Sequence, residues 1–310
     1  MNNRENKYDH MILRAEDKAI NWYPGHMARA KRKLVEQLSR VDVVVELCDA
    51  RIPRASRNPD LSELVKNKKR LLILNKSDLA DEAQTRAWLA YYRSQGVDCM
   101  SFDSAKGRAK DVIARIEKAA SEAVARMAAR GVKKTVRVMI VGVPNVGKST
   151  FTNKVNGSSI ARTGDRPGVT RSNQWVRITP YLELLDTPGL LWPKLDDQDD
   201  ARALAFVGTI NDQVMDQQML AVRLLELLMR DQKAACVQRF KIKNTEATDV
   251  ELLNEACRGR GWLMPGGVLD TDRGSAVILD EFRGGKVGRI TLQKAPAVKK
   301  AEPAPEEKKE

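Results

Sequence analysis

One stretch decides the fold of this chain: Gly142-Val143-Pro144-Asn145-Val146-Gly147-Lys148-Ser149. It follows an apolar run, residues 136–141, and precedes a segment with helical spacing. A G-x-x-x-x-G-K-[ST] motif between a strand and a helix predicts a P-loop, whose backbone N–H groups surround phosphates at the positive end of the helix dipole. Lys148 is expected to reach the β- and γ-phosphates, and the Ser149 hydroxyl is expected to bind Mg²⁺.

A second motif, Asn75-Lys76-Ser77-Asp78, follows another apolar run, residues 71–74. N-K-x-D at the end of a strand is how GTPases recognise guanine. Asp78 is expected to accept hydrogen bonds from the guanine N1–H and exocyclic amine, Asn75 to face O6, and the stem of Lys76 to lie beside the base. Adenine would leave these polar groups unpaired, which makes such a site discriminating. A lone N-K-x-D also fits an ordinary Asx turn, but its place after a strand favours guanine recognition.

Three further segments complete the pattern. Ser104-Ala105-Lys106-Gly107 fits the loop whose backbone N–H contacts guanine O6. Thr170, in a polar, glycine-containing stretch, is the candidate switch threonine, with its hydroxyl on Mg²⁺ and its N–H on the γ-phosphate. In Asp186-Thr187-Pro188-Gly189, Asp186 is expected to hold Mg²⁺ through water and the Gly189 N–H to sense the γ-phosphate.

Together these segments predict a GTPase that binds GTP and GDP with Mg²⁺. The predicted Mg²⁺ ligands are Ser149, Thr170 and Asp186. The predicted nucleotide-binding residues are Asn75, Lys76, Asp78, Ser104, Ala105, Lys106, Asn145, Val146, Gly147, Lys148, Ser149, Thr150, Thr170 and Gly189.

The order of the motifs departs from the Ras-like order, in which the P-loop comes first and the guanine motifs last. Here N-K-S-D and S-A-K-G precede the P-loop, and the switch segments follow it. Because the ends of a domain usually lie close together, a chain can be rejoined elsewhere without losing its packed site. The predicted fold is therefore α/β: a circularly permuted Ras-like P-loop GTPase domain with a mostly parallel sheet flanked by helices, followed by a smaller, mainly α-helical domain.

Periodicity divides the chain into a flexible leader (1–20), the GTPase domain (21–207), the helical domain (208–292) and a disordered, charged tail (293–310). Strands are predicted at residues 41–47, 71–74, 97–102, 136–141, 175–178 and 182–185. Helices are predicted at 26–40, after 61, at 83–95, at 108–130 with Gly131 ending the helix, after the P-loop, at 213–229 and at 249–257. The chain leaves the GTPase domain just after D-T-P-G, so the γ-phosphate switch is expected to act on the helical domain.

Composition limits the partners and the compartment. The 310 residues carry a formal net charge of +13, and residues 1–207 hold 37 basic against 25 acidic side chains, whereas residues 208–292 hold 12 of each. This asymmetry favours a polyanionic partner, nucleic acid ahead of a membrane, over a merely basic surface. No apolar run could span a bilayer, and four scattered cysteines without a C-x-x-C pair predict buried, reduced thiols in the cytoplasm.

The permuted order, together with Trp22-Tyr23-Pro24-Gly25-His26-Met27, Asp49-Ala50-Arg51-Ile52-Pro53, Ser56-Arg57-Asn58-Pro59 and residues 282–289, resembles the circularly permuted GTPases of ribosome assembly. The resemblance covers residues 22–292. It implies a molecular switch in late maturation of the large ribosomal subunit, and the protein is expected to be a monomer. Such a switch binds the precursor and its rRNA in the GTP state and is released when the subunit stimulates hydrolysis.

Catalysis is less directly encoded. Leu190 stands where Ras-like enzymes place the glutamine that orients water. The resemblance implies His26 as the catalytic residue, although packing at a helix start is an alternative role; His10 is expected to be exposed. It also implies a K⁺ ion beside Asn145, unless asparagine is there for loop geometry alone. The predicted catalytic residues are His26, Lys148, Thr170 and Gly189.

Two alternatives remain open. Leu190 allows a nucleotide-gated RNA-binding scaffold whose hydrolysis is incidental, and a GTPase acting on tRNA or in signalling is disfavoured by the permutation. The resemblance implies that the helical domain (208–292) docks on ribosomal RNA. The charge counts favour a shared footprint, in which the GTPase domain supplies much of the phosphate contact through residues 29–33, residues 66–70 and the switch-loop arginines. A smaller patch could form from Arg239, Lys241, Lys243, Arg258 and Arg260.

Overall fold

The computed structural model describes residue 32 and residues 34–157, 174–187, 197–210 and 215–298. The strands of this part are β1 (Val43–Asp49), β2 (Lys69–Asn75), β3 (Cys99–Ser101), β4 (Val136–Gly142), β5 (Gln174–Thr179) and β6 (Leu182–Asp186). The helices are α1 (Pro59–Leu64), α2 (Glu82–Ser94), α3 (Ala109–Ala128), α4 (Lys148–Asn156), α5 (Gln198–Phe206), α6 (Gln217–Asp231), α7 (Lys233–Phe240), α8 (Asp249–Arg260) and α9 (Thr271–Arg283). Residues 34–38 are also helical.

The strands form one sheet in the order β3-β2-β1-β4-β6-β5, with β5 antiparallel to β6 and the other pairs parallel. Every residue of β1 is buried, as expected for a parallel strand covered on both faces. Val43 and Val45 pack in a cluster with Ile116 of α3, whereas Val44 packs in another with Leu61 of α1. The predicted fold, a mostly parallel sheet flanked by helices and followed by a helical part, is confirmed.

The ends of the predicted elements are shifted in places. Gly131 closes α3 as predicted, with φ +73° and its N–H bonded to the Ala128 carbonyl at 2.9 Å. Strand β3 is shorter than the predicted 97–102, because the Val97 N–H still bonds the Tyr92 carbonyl at the end of α2 (3.0 Å). The helix predicted over 213–229 begins at Gln217 in the described part and runs to Asp231.

Periodicity missed α5, α7 and α9. Helix α5 begins in an acidic run, where the Asp197 carboxylate caps it by accepting from the N–H groups of Asp199 and Asp200. Helix α9 contains Gly274, which lowers helix propensity. A Cβ at Gly274 would lie 2.4 Å from the Cys257 sulfur, so glycine is what allows α8 and α9 to pack closely. Tertiary packing therefore outweighs local propensity in this part of the chain.

After α9 the chain returns to the sheet. The N–H of Ile290 bonds the Leu79 carbonyl (3.0 Å), the N–H of Leu292 bonds the Arg51 carbonyl (2.8 Å), and the Trp88 indole donates to the Gln293 carbonyl (2.8 Å). Helices α5 to α9 and one face of the sheet share a continuous apolar cluster. The division at residues 207/208 stays a prediction, and the predicted leader and most of the predicted tail lie outside the described residues.

Two remaining observations concern composition. The four cysteines are buried and free, as predicted for small apolar residues. None of the described helices has the length and apolar character that crossing a bilayer requires.

Candidate functional site: a nucleotide pocket at the carboxyl ends of the strands

The P-loop joins the end of β4 to the start of α4. Its backbone takes the left-handed conformation at Asn145 (φ +58°) and at Gly147 (φ +95°). A Cβ on Gly147 would lie 2.7 Å from the Asn75 amide nitrogen, so a glycine is required there for space as well as for backbone geometry. The loop therefore has the tight curvature that a phosphate cradle needs.

Lys148 is buried at the first position of α4. Its ammonium donates to the carbonyl oxygens of Val143 (2.9 Å) and Gly142 (3.1 Å), which holds it across the mouth of the loop. Burial lowers the pKa of Lys148 to about 8; the nearby Asp186 carboxylate opposes this effect and Lys76 adds to it. A desolvated cation in this position is suited to binding an anionic oxygen.

The residues expected to hold Mg²⁺ meet beside the P-loop. The Ser149 hydroxyl donates to Asp186 Oδ2 at 3.0 Å. Thr187, the next residue after Asp186, is held in place because its hydroxyl donates to the Ile140 carbonyl at 2.6 Å. Asp186 Oδ1 is buried and has no hydrogen-bond partner within the described residues. Burial raises the pKa of Asp186, while Lys148 and the Ser149 hydrogen bond oppose that rise. A hydroxyl beside an unsatisfied buried carboxylate oxygen fits the oxygen ligands that Mg²⁺ prefers.

Asn75 ties the guanine motif to the P-loop. Its fully buried side chain donates from Nδ2 to the Val146 carbonyl (2.8 Å) and accepts at Oδ1 from the Ser104 hydroxyl (2.7 Å). The amide that was expected to face guanine O6 is therefore engaged with the protein. Lys76, in the left-handed conformation, donates from Nζ to the Asn145 carbonyl (2.6 Å). The Asp78 side chain is exposed, as its expected contact with guanine requires.

The shape of the S-A-K-G loop depends on Asp103, which the sequence motif does not include. Asp103 Oδ1 accepts hydrogen bonds from the N–H groups of Ala105 (2.7 Å) and Lys106 (3.0 Å). Lys154 of α4 donates to the Ala105 carbonyl (2.9 Å) and so joins this loop to the P-loop helix. An aspartate that begins a turn is the one signal that could have pointed to this residue.

Three predicted site residues lie outside the described residues, so their roles stay predictions: His26, Thr170 and Gly189. Leu190, at the position of the Ras-like glutamine, also lies outside them. The described members of the predicted set lie at the carboxyl ends of β2, β3, β4 and β6 or in the loops that follow β2, β3 and β4, and Lys148, Ser149 and the exposed Thr150 form the start of α4. The carboxyl ends of parallel strands are where open α/β sheets bind ligands. The sequence did not identify Arg51, a buried arginine at this same end of the sheet.

A P-loop packed against N-K-S-D and S-A-K-G, with the guanine motifs earlier in the chain, defines a circularly permuted GTPase. A family model described as a 50S ribosome-binding GTPase matches residues 137–252. Ribosome biogenesis GTPase A of Bacillus cereus is 42% identical over 276 residues, which cover 88% of this chain and 93% of that protein. That of Priestia megaterium is 43% identical, over 88% of this chain and 96% of its own. The chain belongs to the ribosome biogenesis GTPase A family.

Solved structures agree with this assignment. The crystal structure of GNP-bound YlqF from Thermotoga maritima superposes with a TM-score of 0.64 at 27% identity, covering 87% of this chain and 100% of that one. The GDP-bound YlqF structure gives a TM-score of 0.63 at 28% identity, covering 85% of this chain and 99% of that one.

Proposed function

We propose that this GTPase is a molecular switch in late assembly of the large ribosomal subunit. The observation that carries the nucleotide part is the direct bonding of two guanine-motif residues to the P-loop, from Asn75 to Val146 (2.8 Å) and from Lys76 to Asn145 (2.6 Å). Base recognition and phosphate binding are thereby built on one network. The ribosomal part is supported by family membership and by the description of the matching family model.

In this proposal the base is read by Asp78, with the loop at residues 104–106 beside it, and the phosphates lie on the P-loop N–H groups and Lys148. Oxygen atoms of Ser149, Asp186 and Thr170 would hold Mg²⁺, which supplies positive charge next to the β- and γ-phosphate oxygens. The Asp186 Oδ1 atom, buried without a partner among described residues, supports this role. Ordering of Thr170 and Gly189 around the γ-phosphate would favour the state that binds the subunit.

Hydrolysis is proposed to depend on the docked precursor. His26 would orient or deprotonate the attacking water, since Leu190 cannot do so. A K⁺ ion at Asn145 would add positive charge beside the phosphates. The factor would act as a monomer in the cytoplasm and leave the subunit once hydrolysis releases the switches.

The RNA footprint is proposed to extend over the first two-thirds of the chain. Residues 1–207 carry the excess positive charge, whereas in the helical part Arg239 and Arg260 both bond the buried Glu281 carboxylate. We expect Lys66→Glu combined with Lys69→Glu to weaken binding to large subunits and to reduce its salt slope more than Lys241→Glu combined with Lys243→Glu does, because the first pair would remove more phosphate contacts. The opposite ranking would refute a shared footprint.

The proposal is tested by GTP turnover in potassium and in sodium buffer, with and without purified large ribosomal subunits and with ATP as the control nucleotide. Stimulation by subunits that is specific for GTP supports the switch. Equal turnover rates in the potassium and sodium buffers would refute the proposed K⁺ ion at Asn145. His26→Ala is expected to abolish stimulation and spare GTP binding, whereas His10→Ala, the control, should not change either.

Tight GTP-dependent binding to subunits without stimulated turnover would favour the scaffold alternative. No binding to subunits in either nucleotide state would refute the ribosomal role while leaving the GTPase assignment in place.

A further inference from the structure

A buried ion pair lies beside the nucleotide pocket, in the Asp49–Pro53 segment, to which no role in nucleotide binding has been assigned. Arg51 is 1% exposed, and its guanidinium donates to both carboxylate oxygens of Asp49, from Nε to Oδ1 (2.9 Å) and from Nη2 to Oδ2 (2.8 Å). A buried arginine is tolerated only when its charge and its remaining donors are matched. The other residues that contact Asp49 and Arg51 therefore show which parts of the structure this ion pair holds in place.

On one side the pair reaches the P-loop. Lys76 Nζ lies 3.4 Å from Asp49 Oδ2 and donates to the Asn145 carbonyl at 2.6 Å. Burial alone would raise the pKa of Asp49, but the charges of Arg51 and Lys76 outweigh it and hold that pKa well below its usual range. The carboxylate thus stays charged and keeps Lys76 directed at the backbone of the phosphate loop.

On the other side the pair reaches the last helix. Arg51 Nη1 donates to the Arg283 carbonyl at the end of α9 (3.1 Å), and the Arg51 guanidinium lies 5.7 Å from the centre of the Phe282 ring. The Arg283 side chain continues the path, because it donates to the carbonyls of Phe206 (3.1 Å) and Ala205 (2.9 Å) at the end of α5. Helices α5 and α9 are thus fixed to the loop after β1.

The path closes on the P-loop. Directly after α5, the Gly208 carbonyl accepts a hydrogen bond from the Asn145 side-chain amide at 2.6 Å, and the Thr209 hydroxyl donates to the Pro144 carbonyl at 3.2 Å. The contacts therefore form a ring that passes through the P-loop, the guanine motif and the last helix. We call it the Arg51 ring; its members are Asp49, Arg51, Lys76, Asn145, Gly208 and Arg283.

We propose that Arg51 is a positioning residue that couples the conformation of the phosphate loop to the docking of α9 and α5. The inference rests on the proposed function in one respect, namely that the pocket binds guanine nucleotides. Asn145 is held through its carbonyl by Lys76 and through its side chain by Gly208, so the loop conformation and the position of the helices stabilise each other. Such a coupling is reciprocal: nucleotide bound to the loop must also stabilise the docked helices. It gives the helical part a route for sensing nucleotide that does not use Thr170 or Gly189.

The test compares three full-length variants. Arg51→Lys keeps a charge beside Asp49 but cannot bond both carboxylate oxygens and the Arg283 carbonyl at once. Arg283→Met removes the contacts with α5 and leaves Asp49 and Lys76 in place. Arg223→Met is the matched control: Arg223 is similarly buried, and its partners include Glu226 and Asp249 in the helical part.

The first readout is affinity for GDP and for a non-hydrolysable GTP analogue, and the second is amide hydrogen exchange across α9 with and without the analogue. We expect both ring variants to bind nucleotide roughly 5- to 20-fold more weakly, within the usual range of coupling energies. We also expect them to lose the analogue-dependent protection of α9 that the unmodified protein and Arg223→Met show. A merely structural role would lower protection equally with and without nucleotide.

Unchanged affinity in both ring variants, or α9 protection that still responds to the analogue as in the unmodified protein, would overturn the coupling while leaving the GTPase proposal intact. Failure of the unmodified protein to bind either nucleotide would overturn the proposed function and the coupling together. If Arg51→Lys does not fold, Arg283→Met decides the question alone, since it leaves the buried ion pair untouched.

Discussion

Replacing Gly147 by Ala introduces a single methyl group at the point where the P-loop meets the guanine motif. The new Cβ would lie 2.7 Å from Asn75 Nδ2, closer than real Cβ atoms approach their neighbours. Asn75 has little freedom to move, because Val146 and Ser104 hold the two ends of its amide. Either the amide or the loop must therefore shift.

Two contributions set the magnitude. An alanine forced into the left-handed conformation at φ +95° costs about 1–2 kcal/mol. Breaking the bond from Asn75 to Val146 leaves buried polar groups unsatisfied, which costs about 1–3 kcal/mol more. We expect Gly147→Ala to lower the free energy of unfolding by about 2–5 kcal/mol. If the cost of the broken Asn75–Val146 bond distorts the nucleotide-binding conformation of the P-loop, nucleotide affinity drops roughly 5- to 150-fold.

Gly157 provides the control, because it closes the same helix, α4, with φ +75° and has nothing within 4 Å of a built Cβ. Gly157→Ala carries the backbone cost alone, so about 1–2 kcal/mol of destabilisation and unchanged nucleotide affinity are expected. Urea unfolding and titration with a fluorescent GTP analogue measure both quantities. Equal destabilisation by the two variants, with equal nucleotide affinity, would refute the role assigned to the contact between Gly147 and Asn75.

Three further predictions concern packing, metal and pH. Phe151→Ala removes a fully buried ring and should lower the free energy of unfolding by about 3–5 kcal/mol in urea titrations; less than 1 kcal/mol would contradict its place in the core. Asp186→Asn should raise the Mg²⁺ concentration needed for nucleotide binding about 10-fold or more, and an unchanged Mg²⁺ titration would exclude Asp186 as a ligand. Glu281 is buried, which would raise its pKa, but Arg239 and Arg260 outweigh this and lower the pKa to about 2. Its stabilising effect is therefore complete above its ordinary pKa near 4.5 and is lost as pH falls towards 2. Glu281→Gln should cost about 1.5–3 kcal/mol at pH 7 and progressively less in acid unfolding measurements, and a pH-independent difference would count against the ion pairs.

The sequence by itself determined the features that depend on a few consecutive residues. A P-loop needs glycines and a lysine at fixed spacing, a buried parallel strand needs a continuous apolar run, and a helix end such as Gly131 needs a left-handed residue. These requirements are local, so the motif set, the mostly parallel sheet and the permuted order could be predicted before any contact was known. Asp186 Oδ1, which has no hydrogen-bond partner among the described residues, is available for the predicted Mg²⁺ site, which stays a prediction.

Tertiary structure alone decided how these local pieces hold one another. Asn75 bonds Val146 across 71 positions of the chain, and Arg51 bonds Arg283 across 232, so no window of sequence contains both partners. Gly274 is a poor helix former inside α9, yet glycine is needed there because Cys257 of the neighbouring α8 leaves no room for a Cβ. That requirement also comes from a tertiary contact. Local patterns specify which groups are available for a site. Only the packed chain determines which of those groups become partners, because a buried charge or amide takes whatever partner folding brings within hydrogen-bond distance.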